Sequence, residues 1–295
     1  MPSRPLVIAA PLPRTLPLIL SEAGLRALFD RYDVVETTDE ALPRLPPATL
    51  REARYVIGQP PLSEEVLAQM ESLRCIFNVE SNLLPNMPYE QAFAQGVHVV
   101  TTGAVFSEPV AEIGLGFALS LARGIHSADA DFRAGREKWG GEGNAGARLL
   151  TGSTMGILGM GTLGQAVARV VAGFRPRLLA HDPWQARSVT RSLGAEPVEL
   201  DALLAESDTL FCCAAVTSEN QGFLGRAEFA RMRPGSAFIL LSAHRAGAMD
   251  RAFKRMGEMV LEDMALMDRG LPPQVCKRAE RETVARFRSM PVSTN

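Results

Sequence analysis

The chain has 295 residues, 46 % of them hydrophobic and 22 % charged, with a formal net charge of −2. That length has room for two domains with ordinary packed cores. A near-neutral balance offers no global field for nucleic acid or an anionic membrane, and no apolar run is read as reaching the ~18 residues of a membrane helix.

The N-terminus, MPSRPLVIAAPLPRTL, has one Arg before five apolar residues and a Pro, which suits a first strand better than a secretory signal. Cys75, Cys212, Cys213 and Cys276 lack ligand-like spacing, so no metal site is expected. Cys212 and Cys213 lie side by side in a strand-like run, TLFCCAAV. The expectation is a cytoplasmic protein with reduced thiols.

Short β-branched runs dominate the first hundred residues: LVIAA (6–10), YDVVETT (32–38), RYVIGQ (54–59), CIFNV (75–79) and VHVVTT (97–102). Between them LPLILSEAGLRALFDR and SEEVLAQMESL have helical apolar spacing, and Ser63 is placed to cap the second. Such alternation predicts a parallel sheet covered on both faces. One long helix is predicted over 107–136, with Ser107 as its cap and Pro109 in its first turn. A second α/β run follows: strands in TMGILGMG, RLLAHDP, AEPVEL, TLFCCAAV and AFILLS, with helices over 162–173, near 185–193, near 200–206 and near 225–232. The fold class is α/β, with two doubly wound parallel sheets.

MGILGMGTLGQAVARVV contains Gly159-x-Gly161-x-x-Gly164 between a strand and an amphipathic helix. Alone the spacing is weak; in this context each glycine has a task. Gly159 makes the turn, Gly161 lets a diphosphate approach the backbone, and Gly164 brings helix and strand together. The N–H groups of Thr162 and Leu163 then face the phosphates at the positive end of the helix. Asp182 follows Gly164 by 18 positions, close to the interval of about 20 for the acid that holds ribose hydroxyls. Its charge favours NAD over NADP, though Arg187 and Arg191 are near in sequence. A ligand-free structural turn is the plainer alternative.

EPVAEIGLGFALSLARGI, LTGSTMGILGMGTLGQAVARVV and SDTLFCCAAVTSENQGFLGRAEFARMRPGSAFILLS together resemble the D-2-hydroxyacid dehydrogenase family over nearly the full chain. The resemblance implies a Rossmann-type nucleotide domain (105–243) inserted into a flavodoxin-like substrate domain (1–104). Residues 244–295 would then return to the substrate domain as a helix and tail. It places Thr217 in the loop beside the cofactor. It also makes His244 the acid/base, since SAHRAGAMD keeps the family's PHxAG loop with Ala243 where Pro is usual. His98, His126 and His181 are read as structural or surface residues.

Family members carry a carboxylate-binding arginine just after the strand represented here by FILLS, and a glutamate beyond the next strand. This chain passes directly from Ser242 to Ala243 and His244, where a strand, crossover helix and partner strand need ~30 residues. The expectation is a missing segment after Ser242. A break that the numbering closes over is favoured over a true absence, because losing a mid-sheet strand would expose apolar surface. The catalytic Arg and Glu are then not identifiable. A rival alignment makes Arg245 the arginine, with Asp250 in register and Asp268 in the glutamate's place. Against it, apolar residues from Met249 to Met267 keep helical spacing, so Asp268 ends a helix roughly 30 Å long.

The resemblance puts the substrate at IFNVESNLLPN, where Glu80, Ser81 and Asn82 replace the usual glycine-rich turn. Ser81 and Asn82 suit a carboxylate. Glu80 would repel one unless the substrate also carries a hydroxyl or amine, and a plain polar turn is the alternative. Trp139, in the glycine-rich 136–152, is read as packing, with cover for the site or a partner subunit as the alternative. CKRAERETVARFR, with both charge signs, is read as a solvated helix or a subunit-crossing tail and not as a nucleic-acid patch. The implied function is NAD-linked interconversion of 2-hydroxy and 2-keto acids by a homodimer. The rival is a non-catalytic NAD(H)-binding sensor or interaction protein.

Overall fold

A computed structural model describes residues 4–80, 82–240 and 247–286. The first strands are β1 (Leu6–Ala9), β2 (Asp33–Glu36), β3 (Ala53–Ile57), β4 (Cys75–Asn78) and β5 (His98–Thr101). Then come β6 (Thr154–Leu158), β7 (Arg177–His181), β8 (Glu196–Pro197), β9 (Thr209–Cys212), β10 (Ala237–Leu240) and β11 (Lys277–Arg278). They fall into two units. Unit 1 comprises Met1–Phe106, Thr217–Glu219 and Ala248–Asn295; unit 2 comprises Ser107–Val216 and Asn220–Gly247.

Unit 1 has the sheet order β11-β5-β4-β3-β1-β2, parallel apart from β11, which runs antiparallel to β5. Setting β11 aside, this is a flavodoxin-type order whose direction of winding reverses between β1 and β3. One face packs under Leu28, Tyr32 and the apolar side of the helix Asp250–Asp268, which contributes Phe253, Met256, Val260 and Met264. The other face buries Ile8, Val56 and Ile76 with Leu50, Leu67 and Tyr89. The stretch 16–31, read as one helix, is two: Leu16–Ile19 and Glu22–Arg31, each capped by a hydroxyl, Thr15 and Ser21. Ser63 caps Glu64–Gln69 by accepting from Val66 N–H.

Asp263 is fully buried on the long helix and accepts from three successive backbone N–H groups, those of Gln274, Val275 and Cys276 (2.7–2.9 Å). The returning chain is fastened there. This is why CKRAER becomes the edge strand β11, followed by a one-turn helix at Arg281–Val284, instead of the solvated helix its charges suggested.

Unit 2 has the parallel order β10-β9-β6-β7-β8, the Rossmann arrangement with its switch point between β6 and β9. The predicted 107–136 helix breaks: Ser107–Arg123 ends where Gly124 turns left-handed (φ 61°), and Ile125–Arg133 starts afresh. Ser107 lies inside a helical stretch that begins with a 3-10 turn at Gly103, so it is not the cap. Small residues Ala111, Gly114, Ala118 and Ala122 form the buried face of Ser107–Arg123, which packs on the helix Thr162–Val171. Gly103–Arg123, with mean hydropathy 1.4, is long and apolar enough by length and composition to cross a membrane, contrary to the sequence reading. Its outer stripe, Ile113, Phe117 and Leu121, is 43–51 % exposed. β10 is an edge strand among the described residues, and its last residue Leu240 is exposed. The Ser242–Ala243 junction lies outside the described residues.

Candidate nucleotide and substrate sites

β6 delivers the chain to the switch point of unit 2, with Leu158 paired to His181 on one side and Cys212 on the other. Gly159 then turns at φ +91°, and a Cβ there would come within 2.7 Å of the Ala214 backbone. A Cβ on Gly164 would stand 2.0 Å from the Gly159 carbonyl oxygen. These two positions are glycine because the fold leaves no room. Gly161 is different: its φ is −65°, and an added Cβ would meet no atom within 4 Å. Open space therefore lies beside the N-terminus of Thr162–Val171. The N–H groups of Thr162 and Leu163 have no carbonyl within the helix to bond, and the dipole there is positive.

Asp182 stands one residue past β7. Its carboxylate accepts from Met160 N–H (2.7 Å), Trp184 N–H (2.8 Å) and Gln185 N–H (3.1 Å). It thus ties down the middle of the glycine turn as well as its own loop. A carboxylate has about four acceptor positions, so capacity remains for a ribose hydroxyl. Arg187 is drawn to Glu199 (3.0 Å). Gln165 steadies the turn by donating to the Met160 carbonyl (3.1 Å). A bare amide-lined cradle, a helix N-terminus and a fixed carboxylate fit the diphosphate and ribose of a dinucleotide. Thr217 lies five residues beyond β9, in the short segment that falls with unit 1.

The remaining histidines are occupied elsewhere. His181 Nδ1 is 2.9 Å from the Val198 carbonyl oxygen, and His126 lies against Ser120. Burial, then the nearby Arg278, lowers the pKa of His98 on β5. Burial pushes the Cys213 thiol up to about 12, and burial with Asp263 raises that of Cys276, so neither forms a ready thiolate. His244, Arg245 and Ser81 lie outside the described residues.

On unit 1, Glu80 follows β4 and is engaged from several directions. Asn78 Oδ1 accepts from its N–H, and its carbonyl accepts from Thr101 (3.1 Å). Its side chain meets Arg14 Nη2 at 3.4 Å. Asn82 is exposed, and its carbonyl accepts from Asn78 Nδ2 (3.0 Å). Sequence reading missed Arg14. The available signal was its place in the loop after β1, at the edge of a switch point, where α/β sheets gather ligand-binding groups.

Asp268, the glutamate's replacement in the rival alignment, ends the 19-residue helix Asp250–Asp268. There it accepts from the Tyr32 and Tyr55 hydroxyls and pairs with Arg54 (3.4 Å). These partners lie on β3 and at the end of the helix Glu22–Arg31.

Residues 115–252 match the NAD-binding domain of the D-isomer specific 2-hydroxyacid dehydrogenase family. A crystal structure of a phosphoglycerate oxidoreductase from Rhizobium etli is 52 % identical, with a TM-score of 0.86 over 94 % of this chain and 99 % of that one. A glyoxylate reductase from Aeropyrum pernix is 30 % identical across 76 % of this chain and 68 % of its own length. A D-3-phosphoglycerate dehydrogenase from Mycobacterium bovis is 31 % identical over 237 residues, 79 % of this chain. The match spans 43 % of that mycobacterial protein's length. The fold and the nucleotide turn define a dinucleotide-binding α/β protein. The chain belongs to the D-isomer specific 2-hydroxyacid dehydrogenase family, and NAD is that family's cofactor.

Proposed function

We propose that this protein interconverts a 2-hydroxy acid and its 2-keto acid, with NAD(H) held at Gly159–Gly164 and His244 as the acid/base. The observation that carries this reading is the contrast among the glycines: two are required by packing, while Gly161 keeps a space clear at a helix N-terminus. NAD, when bound, supplies or takes up the hydride. Thr162 and Leu163 N–H groups would bind the diphosphate, and Asp182 would accept from a ribose hydroxyl. Glu80, Ser81 and Asn82 would line the acid's place on unit 1. Thr217 would border the nicotinamide end. His244 would give a proton to the keto oxygen in one direction and retrieve it in the other.

We also propose a cytoplasmic homodimer, with a substrate domain in unit 1 and a nucleotide domain in unit 2. Four free thiols suit a reducing compartment. The exposed stripe Ile113, Phe117 and Leu121, continued by Ile125 and Phe132, suits burial against a second copy. Exposed Trp139 lies close to that surface, sharing a groove with Leu121 and Phe132.

Oxidation of NADH with a panel of 2-keto acids, in the protein and in His244→Ala, tests the reading. Turnover that falls by orders of magnitude in the variant, with NADH affinity kept, is expected. Unchanged turnover removes His244 from its role, and absence of any turnover in the parent defeats the proposal.

A further inference from the structure

Arg14 and Glu80 meet across the carboxyl ends of β1, β3 and β4, although 66 positions separate them in sequence. This is the edge where the winding of the unit 1 sheet reverses. The pair is incomplete as an ion pair. Its single contact is long, 3.4 Å, and about three-quarters of each side chain is removed from solvent. Arg14 Nε and Glu80 Oε1 are both fully shielded and have no hydrogen-bond partner among the described residues. The Arg14 guanidinium lies 4.8 Å from the ring centroid of Phe253, whose ring is braced edge-on by Phe106. Phe253 stands in the first turn of the helix that the His244 segment leads into. The pair thus has one donor and one acceptor unspent among the described residues.

The chemistry of those two atoms limits what satisfies both. A carboxylate or phosphate only accepts, so it would suit Arg14 and oppose Glu80. An ammonium only donates, with the reverse effect. A methyl group serves neither. A hydroxyl accepts and donates on one oxygen, so it can receive the Arg14 Nε–H and give its own proton to Glu80 Oε1. The mutual charge of the pair also removes the repulsion that Glu80 alone would impose on an acid.

Resting on the dehydrogenase reading above, we propose that Arg14 and Glu80 form a specificity pair for acids bearing a hydroxyl on the carbon next to the reacting one. Arg14 donates to that hydroxyl and Glu80 accepts from it. Such a site rejects the deoxy analogue because its buried polar atoms are then left unmatched.

The test compares hydroxypyruvate with pyruvate as substrates for NADH-dependent reduction, and D-glycerate with D-lactate as ligands in calorimetry. Both pairs differ by one hydroxyl. The hydroxylated member is favoured by about 10- to 100-fold, the range for a hydrogen bond to a charged group. The double variant Arg14→Met/Glu80→Leu removes both charges together, so no buried charge is stranded, and brings the ratio close to one. Glu80→Gln, which preserves shape, lowers it part of the way and covers the case in which the double variant does not fold. Arg14→Met alone weakens both acids by exposing them to the Glu80 carboxylate.

A parent ratio near one overturns the proposal, as a trapped water serving both atoms would produce. A ratio unchanged in a folded double variant also overturns it. If neither keto acid is reduced, the dehydrogenase reading fails separately, and the D-glycerate to D-lactate affinity ratio decides the pair alone. Equal affinity, or no binding of either, then overturns it.

Discussion

Tyr55, in the middle of the unit 1 sheet, donates its hydroxyl to the carboxylate of Asp268, 213 positions further along the chain (2.8 Å). Tyr32 donates to the other oxygen of the same carboxylate. The long C-terminal helix is thereby locked to β3 and to the end of the helix Glu22–Arg31. Asp268→Ala leaves two phenols without their acceptor and lowers stability by about 2 kcal/mol. Denaturant titration measures that loss, and turnover per folded molecule should not change. A collapse of turnover at unaltered stability would instead revive Asp268 as the catalytic carboxylate.

The same cluster predicts a loss of stability in alkali. Burial first, and the bond to Asp268 next, raise the pKa of Tyr32 and Tyr55 well above the ordinary 10.0. The unfolded chain releases these protons above about pH 10 while the native protein keeps them. Stability from this source is therefore complete below pH 10 and declines as pH climbs beyond it. Melting temperatures between pH 8 and 11 should show the decline. Replacing both tyrosines by Phe should remove their share of the slope, at the expense of stability near neutrality.

The glycine turn separates into positions needed for folding and one kept clear for a ligand. In Gly164→Ala the new Cβ meets the Gly159 carbonyl, forcing a backbone shift that costs about 1–3 kcal/mol. Gly161→Ala places its methyl in empty space and costs under about 1 kcal/mol, the scale of a cap change. NADH fluorescence titration should nevertheless show affinity falling at least about tenfold in Gly161→Ala, because the diphosphate loses its close approach. Equal NADH affinity in this variant and the parent would mean the turn holds no dinucleotide.

The outer stripe of Ser107–Arg123 has a direct test. Phe117→Glu sets a charge in the middle of an otherwise apolar strip without touching the buried alanine face. Sedimentation velocity should find the parent as a dimer and this variant as a monomer with unchanged circular dichroism. A parent that sediments as a monomer at micromolar concentration would leave the stripe to some other partner.

Local pattern carried much of the architecture. Short β-branched runs located the strands, and Gly159, Gly161, Gly164 and Asp182 stand together as their spacing implied, because turn, helix start and next strand are close in sequence. What escaped were relationships fixed by sheet order. Glu80 was singled out without its partner Arg14, since only the β4-β3-β1 adjacency brings their loops together. Nothing in the local pattern singles out Asp263, which is buried by the returning chain that it anchors. The break at Gly124 escaped because the apolar spacing runs on through it. The proposals for His244 and Ser81 rest on family likeness, and both residues lie outside the described ones.

The fastening of residues 274–276 to Asp263 also sets a timetable for synthesis. β1 to β5 of the unit 1 sheet are made early, but its last strand, β11, and the helix that roofs one face are translated about 150 to 180 residues after β5. At roughly 5–20 residues per second, the nascent β-strands wait on the order of ten to forty seconds with an open edge and an uncovered apolar face. Ribosome-stalled chains ending before residue 250 should therefore be cut quickly by protease within their first hundred residues, and released chains slowly. An early-made half that depends on late-made cover is a natural client for a holding chaperone.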